Sequence, residues 1–337
     1  MTTDAAVRER GDAGTFARAG ALLQRNGVLL ALIALIAFGA TRYDGFLSAY
    51  NVASVLRFNS MFGLVALGMC FVIMTGGIDL SVGSVAALAS VVAALISPLG
   101  PGPALGAAVL AGALFGLGNG IIVARTRIQP FVVTLATLLA ARGLALTLAN
   151  NTSVAVSYTS GFTFIGQGDV LGVPVPVIIL VVAYVAGSVV LNFTRFGRHV
   201  LAVGGNEEAG LLMGLGVTRV KLAVYTMSGA LAGLAGVILA AQFGAGQPTE
   251  GLGWELSAIA SVVVGGTLLT GGIGSVGATL VGVLLLGLIF NILNFENGRG
   301  VISLSAYWQS VIRGAFLLIV LVLQNRLTRR RDEAARA

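Results

Sequence analysis

FGLVALGMCFVIM-TGGIDLS-VGSVAALASVVAALI, residues 62–96, holds two apolar runs separated by one short polar interruption. The first run, Phe62 to Met74, contains only apolar residues and glycine, and the first charge after it is Asp79. With their flanks, such runs reach the ~20 residues that cross a hydrocarbon core as helix. They do not alternate apolar with polar residues, which excludes barrel strands. Reading outward from this stretch gives spans near 27–40, 55–75, 82–99, 103–124, 131–149, 174–192, 222–243, 256–270, 274–294 and 306–324. The expected fold is an all-α, polytopic integral membrane protein of about ten transmembrane helices, broken at Gly-rich motifs. Composition agrees: 57% of the 337 residues are hydrophobic and 10% are charged. A soluble domain carries roughly a quarter charged residues, so there is too little polar surface here to clothe a soluble globule. The 48 glycines, among them Gly112, Gly116, Gly118 and Gly120, sit inside the runs, where small residues let helices approach closely.

The net charge of +7 follows topology and gives no reason to invoke nucleic acid. If residues 1–26 are placed in the cytoplasm, fifteen of the twenty basic residues fall on that side. Arg42, Arg57 and Arg299 fall outside, and Arg142 and Arg313 lie within spans. This is a strong positive-inside bias, and it puts both termini in the cytoplasm. The organisation is then a mobile cytoplasmic tail over 1–26, a membrane domain over 27–325 and a basic tail over 326–337. The long loop 150–173 is external and the long loop 193–221 is cytoplasmic. The first span ends in Phe38-Gly39-Ala40 like a signal-peptide core, but its flanks extend it toward full length and it is read as retained. Cleavage would leave the later orientations unchanged. Cys70, the single cysteine, lies in an apolar run and is expected to pack as a small hydrophobe.

Several chemistries are missing. The only lysine, Lys221, is followed by leucine, so no Gly-Lys-Ser/Thr phosphate loop exists. No cluster of His, Cys, Asp or Glu has metal-ligand spacing, and there is no Gly-x-Ser-x-Gly elbow. The lone His199 reads as a loop residue. No cofactor is expected on this chain.

Asp79 is the one acid between two apolar runs without a polar loop around it. A charge at mid-bilayer costs ~3 kcal/mol or more. Thr75, Gly76 and Gly77 before it and Ser81 after it allow the helix to break. Asp79 either caps the following helix or, with Thr75, Gly76, Gly77 and Ser81, lines a translocation path. The stretch Thr75–Gly83 parallels Thr270–Gly277, either as a true internal repeat or as a chance Gly-rich match. Arg142 either snorkels to the outer surface or pairs inside the bundle. Trp254, Tyr307 and Trp308 lie near outer span ends and fit an aromatic belt.

The cytoplasmic loop carries Gly204-Gly205-Asn206-Glu207-Glu208-Ala209. Asn206 suits an N-cap, and Glu207 and Glu208 suit the positive end of a helix. A short helix over 207–213 would be stopped by Gly214 and Gly216. Its apolar Leu211, Leu212 and Met213 have no membrane to enter, so it is either an ordinary connector or a grip for a partner protein.

Four ordered motifs carry a family resemblance over about residues 45–325. They are Gly68–Ser84; Gly204–Ala209 with Gly214-Leu215-Gly216-Val217; Tyr225-Thr226-Met227-Ser228-Gly229; and Glu255–Ala260 through Gly265-Gly266-Thr267 to Gly271-Gly272. Together they resemble the permease subunits of bacterial sugar ABC importers of the ribose/xylose/arabinose/galactose type. Gly265–Leu269 and Asn294-Phe295-Glu296 lean toward the galactofuranose branch. Ser257 stands where that family often has Asp or Asn, and Gln242 and Ile273 where basic residues are common. The resemblance implies a monosaccharide importer in the bacterial inner membrane with a separate cytoplasmic ATPase that binds ATP. It also implies a periplasmic or lipid-anchored sugar-binding protein and a second permease copy or paralogue. Loop 193–221 then matches the coupling loop, with Asn206, Glu207, Glu208, Leu211, Leu212, Gly214 and Gly216 as the ATPase contact. The alternative is an ion-coupled secondary sugar transporter, which needs an intramembrane charge relay for which Asp79 is the lone candidate.

The charge count generates a direct test. Cysteines introduced at Ser160 and Gly205 and probed with a membrane-impermeant thiol reagent should label from outside at 160 and from inside at 205. Labelling from the same side would refute the topology.

Overall fold

A computed structural model describes residues 27–126 and 128–298, together with 308, 311, 312, 314, 315 and 318. The expected tails 1–26 and 326–337 and most of the expected span 306–324, including Tyr307, lie outside the described residues. The elements are α1 (Gly27–Arg42), α2 (Ala49–Met74), α3 (Val82–Ile96) with a 3₁₀ turn (Ser97–Leu99), α4 (Pro101–Arg125), α5 (Pro130–Leu148), α6 (Phe164–Gln167), α7 (Val175–Phe193), α8 (Arg195–Gly205), α9 (Glu207–Leu212), α10 (Val217–Phe243), α11 (Trp254–Val264) and α12 (Val276–Gly298). Strand is confined to two-residue pairs: β1 (Val154–Ala155) with β4 (Ala245–Gly246), and β2 (Asp169–Val170) with β3 (Val173–Pro174).

Seven described helices are long and apolar enough to cross a membrane. They match seven expected spans to within a few residues at most ends. α2 is the main exception, because it starts at Ala49 where the sequence suggested 55. The span expected at 256–270 is corrected. Its helix, α11, has 11 residues, which makes about 16 Å against ~30 Å of hydrocarbon. The ring of Trp254, at its start, packs 4.6 Å from that of Phe62, at the midpoint of α2, so α11 begins half-way along the bundle. It stops at Gly265, whose N–H donates to Ser261 O. The non-helical residues 265–275 then continue until Gly272 N donates to Met74 O at the end of α2 (3.0 Å). This is a half-helix followed by irregular, turn-rich chain. The aromatic-belt expectation for Trp254 falls with it: the residue is 6% exposed because it opens a segment that starts inside the protein.

Glycine sets the tightest crossing. α4 presents Gly112 and Gly116, and α10 presents Gly229 and Gly233, both pairs at four-residue spacing. A β-carbon on Gly112 would collide with Gly229 O, and one on Gly229 with Gly112 O. Such small-xxx-small faces let backbones touch where no hydrophobic force drives helices together. Gly120 faces Leu222 of α10, but Gly118 has nothing within 4 Å, so one of the four glycines singled out in the sequence plays no part in the contact. The packed centre is the second half of α2, where Met61 and Leu64 through Met74 are at most 2% exposed outside the glycine. α10, α11, α12 and α7 surround it. Cys70 lies in this core, accepting from Thr279 Oγ1 (3.2 Å).

Candidate functional site

The break between α2 and α3 is a closed polar knot. Asp79 is 1% exposed. Its Oδ1 accepts from Ser81 N (3.0 Å) and Ser81 Oγ (2.6 Å), and its Oδ2 from Ser228 Oγ of α10 (2.9 Å). Asn119 of α4 donates to Ser81 Oγ (3.1 Å) and accepts from Thr137 Oγ1 of α5 (2.5 Å). Thr134 of α5 donates to Ile78 O (3.2 Å). The carboxylate links Ser81 at the start of α3 to α10, and Ser81 Oγ extends the network through Asn119 to α4 and α5. Ser81, not Asp79, is the N-cap residue of α3, and its side chain makes no cap bond; Asp79 instead closes a turn over the Ser81 amide. Thr75, Gly77, Asp79 and Ser81 are buried and Gly76 is exposed. Asp79 and Ser81 stand out in the sequence, whereas Ser228, Asn119 and Thr137 join them only through the packing of the helices.

A second broken segment runs from the end of α10 to α11. Gly246 packs against Ser90 and Ala94 of α3, while Gly251 packs against Gly83 at the opposite end of that helix. Residues 244–253 thus re-enter the bundle alongside α3. Arg142 holds them there: its Nη1 donates to Pro248 O and to Glu250 O (2.6 Å). Of the two roles open for Arg142, pairing inside the bundle is the one observed, and its partners are backbone carbonyls.

A cleft opens between α2, α11 and α12. Its inner, narrow hollow is lined by Phe58, Asn59, Phe62, Ser257, Ser261 and Phe290, among others. An adjoining hollow of about 820 Å³ adds Tyr50, Asn51, Ser54, Gln242 and Asn294. Gln242 Oε1 is itself buried and has no hydrogen-bond partner among the described residues. Aromatic faces with a few amides and hydroxyls suit a small polar-rimmed solute. Ser257 and Gln242, two of the three departures from the family pattern, both border this cleft, while the third, Ile273, lines neither hollow. The residues around Asp79 line neither hollow.

At the end of the bundle beyond α7, the loop 193–221 folds as α8 and α9. The expected cap and stop are present: Asn206 Oδ1 accepts from Ala209 N (2.9 Å), and Gly214 has φ +78°. Glu207 and Glu208 occupy the first turn. Lys221 of α10 donates to both Glu207 carboxylate oxygens (2.6 and 2.7 Å), a pairing the sequence reading missed because the two residues are a turn and a helix start apart. Leu211, Leu212 and Met213 are 56%, 90% and 71% exposed.

The described residues thus form a multi-pass membrane permease, with an exposed helical knuckle at one end and no metal-holding cluster. The family model for the branched-chain amino acid transport system / permease component matches residues 51–321. The ribose import permease protein RbsC of Bacillus subtilis is 40% identical, covering 90% of this chain and 94% of its own. That of Escherichia coli K12 is 39% identical over 91% and 95%. The L-arabinose ABC transporter permease protein AraH of Azospirillum brasilense is 38% identical over 92% and 90%. No solved structure matches the chain. The chain belongs to this family of ABC importer permeases and stands among its sugar-importer members. Such a permease has no catalytic site of its own.

The Asp79 knot predicts how its loss would show. Asp79→Asn turns one acceptor into a donor facing buried donors, at a cost of about 1–3 kcal/mol. The detergent-solubilised variant should melt at lower temperature, while uptake per folded molecule persists. Unchanged melting together with lost uptake would show instead that the charge acts in transport.

Proposed function

We propose that this chain is the membrane subunit of a binding-protein-dependent importer of a monosaccharide, with aldopentoses the first candidates because its relatives bear ribose, arabinose and xylose names. The observation that carries the reading is α9: a capped, salt-bridged knuckle with Leu212 projecting from a rigid bundle. A small apolar patch rimmed by acids suits a protein partner, and an importer with no phosphate loop needs one that hydrolyses ATP. In this reading residues 206–216 dock into a cleft of the ATPase, both termini are cytoplasmic, and two permease copies or paralogues face each other beneath the sugar-binding protein. Ion coupling gains nothing from the structure, since Asp79, its lone candidate relay, is bonded to Ser81 and Ser228 and lines neither hollow.

The sugar path runs along the α2–α11–α12 cleft, where Phe58, Phe62 and Phe290 offer rings to sugar C–H faces and Asn59, Ser257 and Gln242 offer hydrogen bonds. The break around Asp79 borders the path from behind, through the contact of Gly83 with Gly251, just before α11.

Two measurements test these parts separately. In proteoliposomes with the partner ATPase and loaded binding protein, Leu212→Glu should abolish sugar-stimulated ATP hydrolysis while the permease still inserts; hydrolysis at the wild-type rate would rule out docking through α9. Ser257→Phe should fill the cleft and cut uptake of labelled ribose, arabinose, xylose or galactofuranose by about tenfold, the scale of ~1.4 kcal/mol, while the ATPase still copurifies. Undiminished uptake of every sugar the wild type transports would move the path elsewhere.

A further inference from the structure

Three chain segments meet at the α8 end of the bundle without a side chain between them. Gly204, the penultimate residue of α8, lies against the end of α2 and the turn that follows α11. A β-carbon on Gly204 would collide with Met74 O and lie 2.5 Å from Gly272 N. One on Gly271 would lie 2.8 Å from Gly76 N and 2.9 Å from Gly204 O, and one on Gly272 would lie 2.8 Å from Gly205 Cα. The Gly272 N–H closes the joint by donating to Met74 O (3.0 Å). Gly76, Gly271 and Gly272 hold φ of +78°, +86° and +78°, which side chains rarely adopt.

Each segment leads somewhere relevant. After Gly204 and Gly205 the chain passes straight into the Asn206 cap of α9. Gly76 opens the loop to Asp79. Residues 265–275 join α11 to α12, whose Ser257, Ser261, Val283 and Gly287 wall the cleft. Side chains between elements can absorb a displacement by changing rotamer. Backbone atoms already in contact cannot, and a close-packed contact passes the displacement on.

We infer that Gly204 is the positioning residue that couples α9 to the cleft: because it has no side chain, α8 seats directly on both broken helices, and a shift of α9 arrives at α11 and α12. The inference rests on the docking role proposed for α9. Its neighbour supplies the control, since a β-carbon on Gly205 would meet nothing within 4 Å.

The experiment compares Gly204→Ala with Gly205→Ala in the full complex of permease, ATPase and loaded binding protein. Both variants should copurify with the ATPase. Sugar transported per ATP hydrolysed should fall by about tenfold in Gly204→Ala and hold near wild type in Gly205→Ala. A wild-type ratio in Gly204→Ala, or equal losses in the two, overturns the inference. If Gly204→Ala does not assemble, hydrogen exchange on the wild-type complex decides. Peptides covering 200–206 and 268–275 should change protection together on binding an unhydrolysable ATP analogue; a change in the first alone, or in neither, overturns the inference. Failure of the docking reading appears separately, as undiminished stimulated hydrolysis in Leu212→Glu.

Discussion

A peptide group inside a bilayer must find its hydrogen-bond partner within the protein, because the hydrocarbon offers none. The architecture of this chain follows from where it meets that demand without a helix. Residues 75–81, 244–253 and 265–275 all leave helical geometry between or beside apolar spans. Each is anchored to protein on one side: the first by Ser228 and Asn119, the second by Arg142 and α3, the third by the end of α2 and by α8. The surrounding helices can be read as the housing these three segments require. Asn119 of α4, Thr134 of α5 and Ser228 of α10 are the buried polar residues that those helices turn toward the first break.

The long helices were legible because their signal is local. An apolar run of sufficient length has one solution in lipid, and α2, α4, α7 and α10 follow it. The cap at Asn206 and the stop at Gly214 were legible for the same reason, since both act within a few residues. What escaped the reading is non-local. The span placed at 256–270 carries no charge, so composition could not say that its helix ends at Gly265, where Gly282 and Ala278 of α12 pack against it. Asp79 stood out as a charge, but whether it faced a path or a partner depended on Ser228, 149 residues away. The cleft residues Phe58, Asn59 and Phe290 carry no motif, and only the convergence of α2 and α12 makes them a surface. Ser257 and Gln242 could have suggested it, since both depart from the family pattern and both border the opening.

The similarity between Thr75–Gly83 and Thr270–Gly277 takes on a physical meaning whatever its origin. Both stretches follow a helix, both turn through at least one glycine with positive φ, and both restart a helix at a valine, Val82 or Val276. They also touch each other, through Gly76 and Gly271. Two breaks that lean on one another are cheaper to house than two that stand apart, because each supplies part of the other's enclosure.

The half-helix α11 also bears on how the chain is made. About 11 residues of helix leave the rest of the segment's peptide groups without partners in lipid, so this piece cannot settle in the bilayer as an independent unit. Its shelter comes from α2, α3 and α8, all of which precede it in the chain, and from α12, which follows at once. Biosynthesis therefore imposes an order. The amino-terminal two-thirds must already be assembled when α11 emerges, and α11 and α12 must enter together as a hairpin. A ribosome pausing between them would strand a segment that neither lipid nor water accepts.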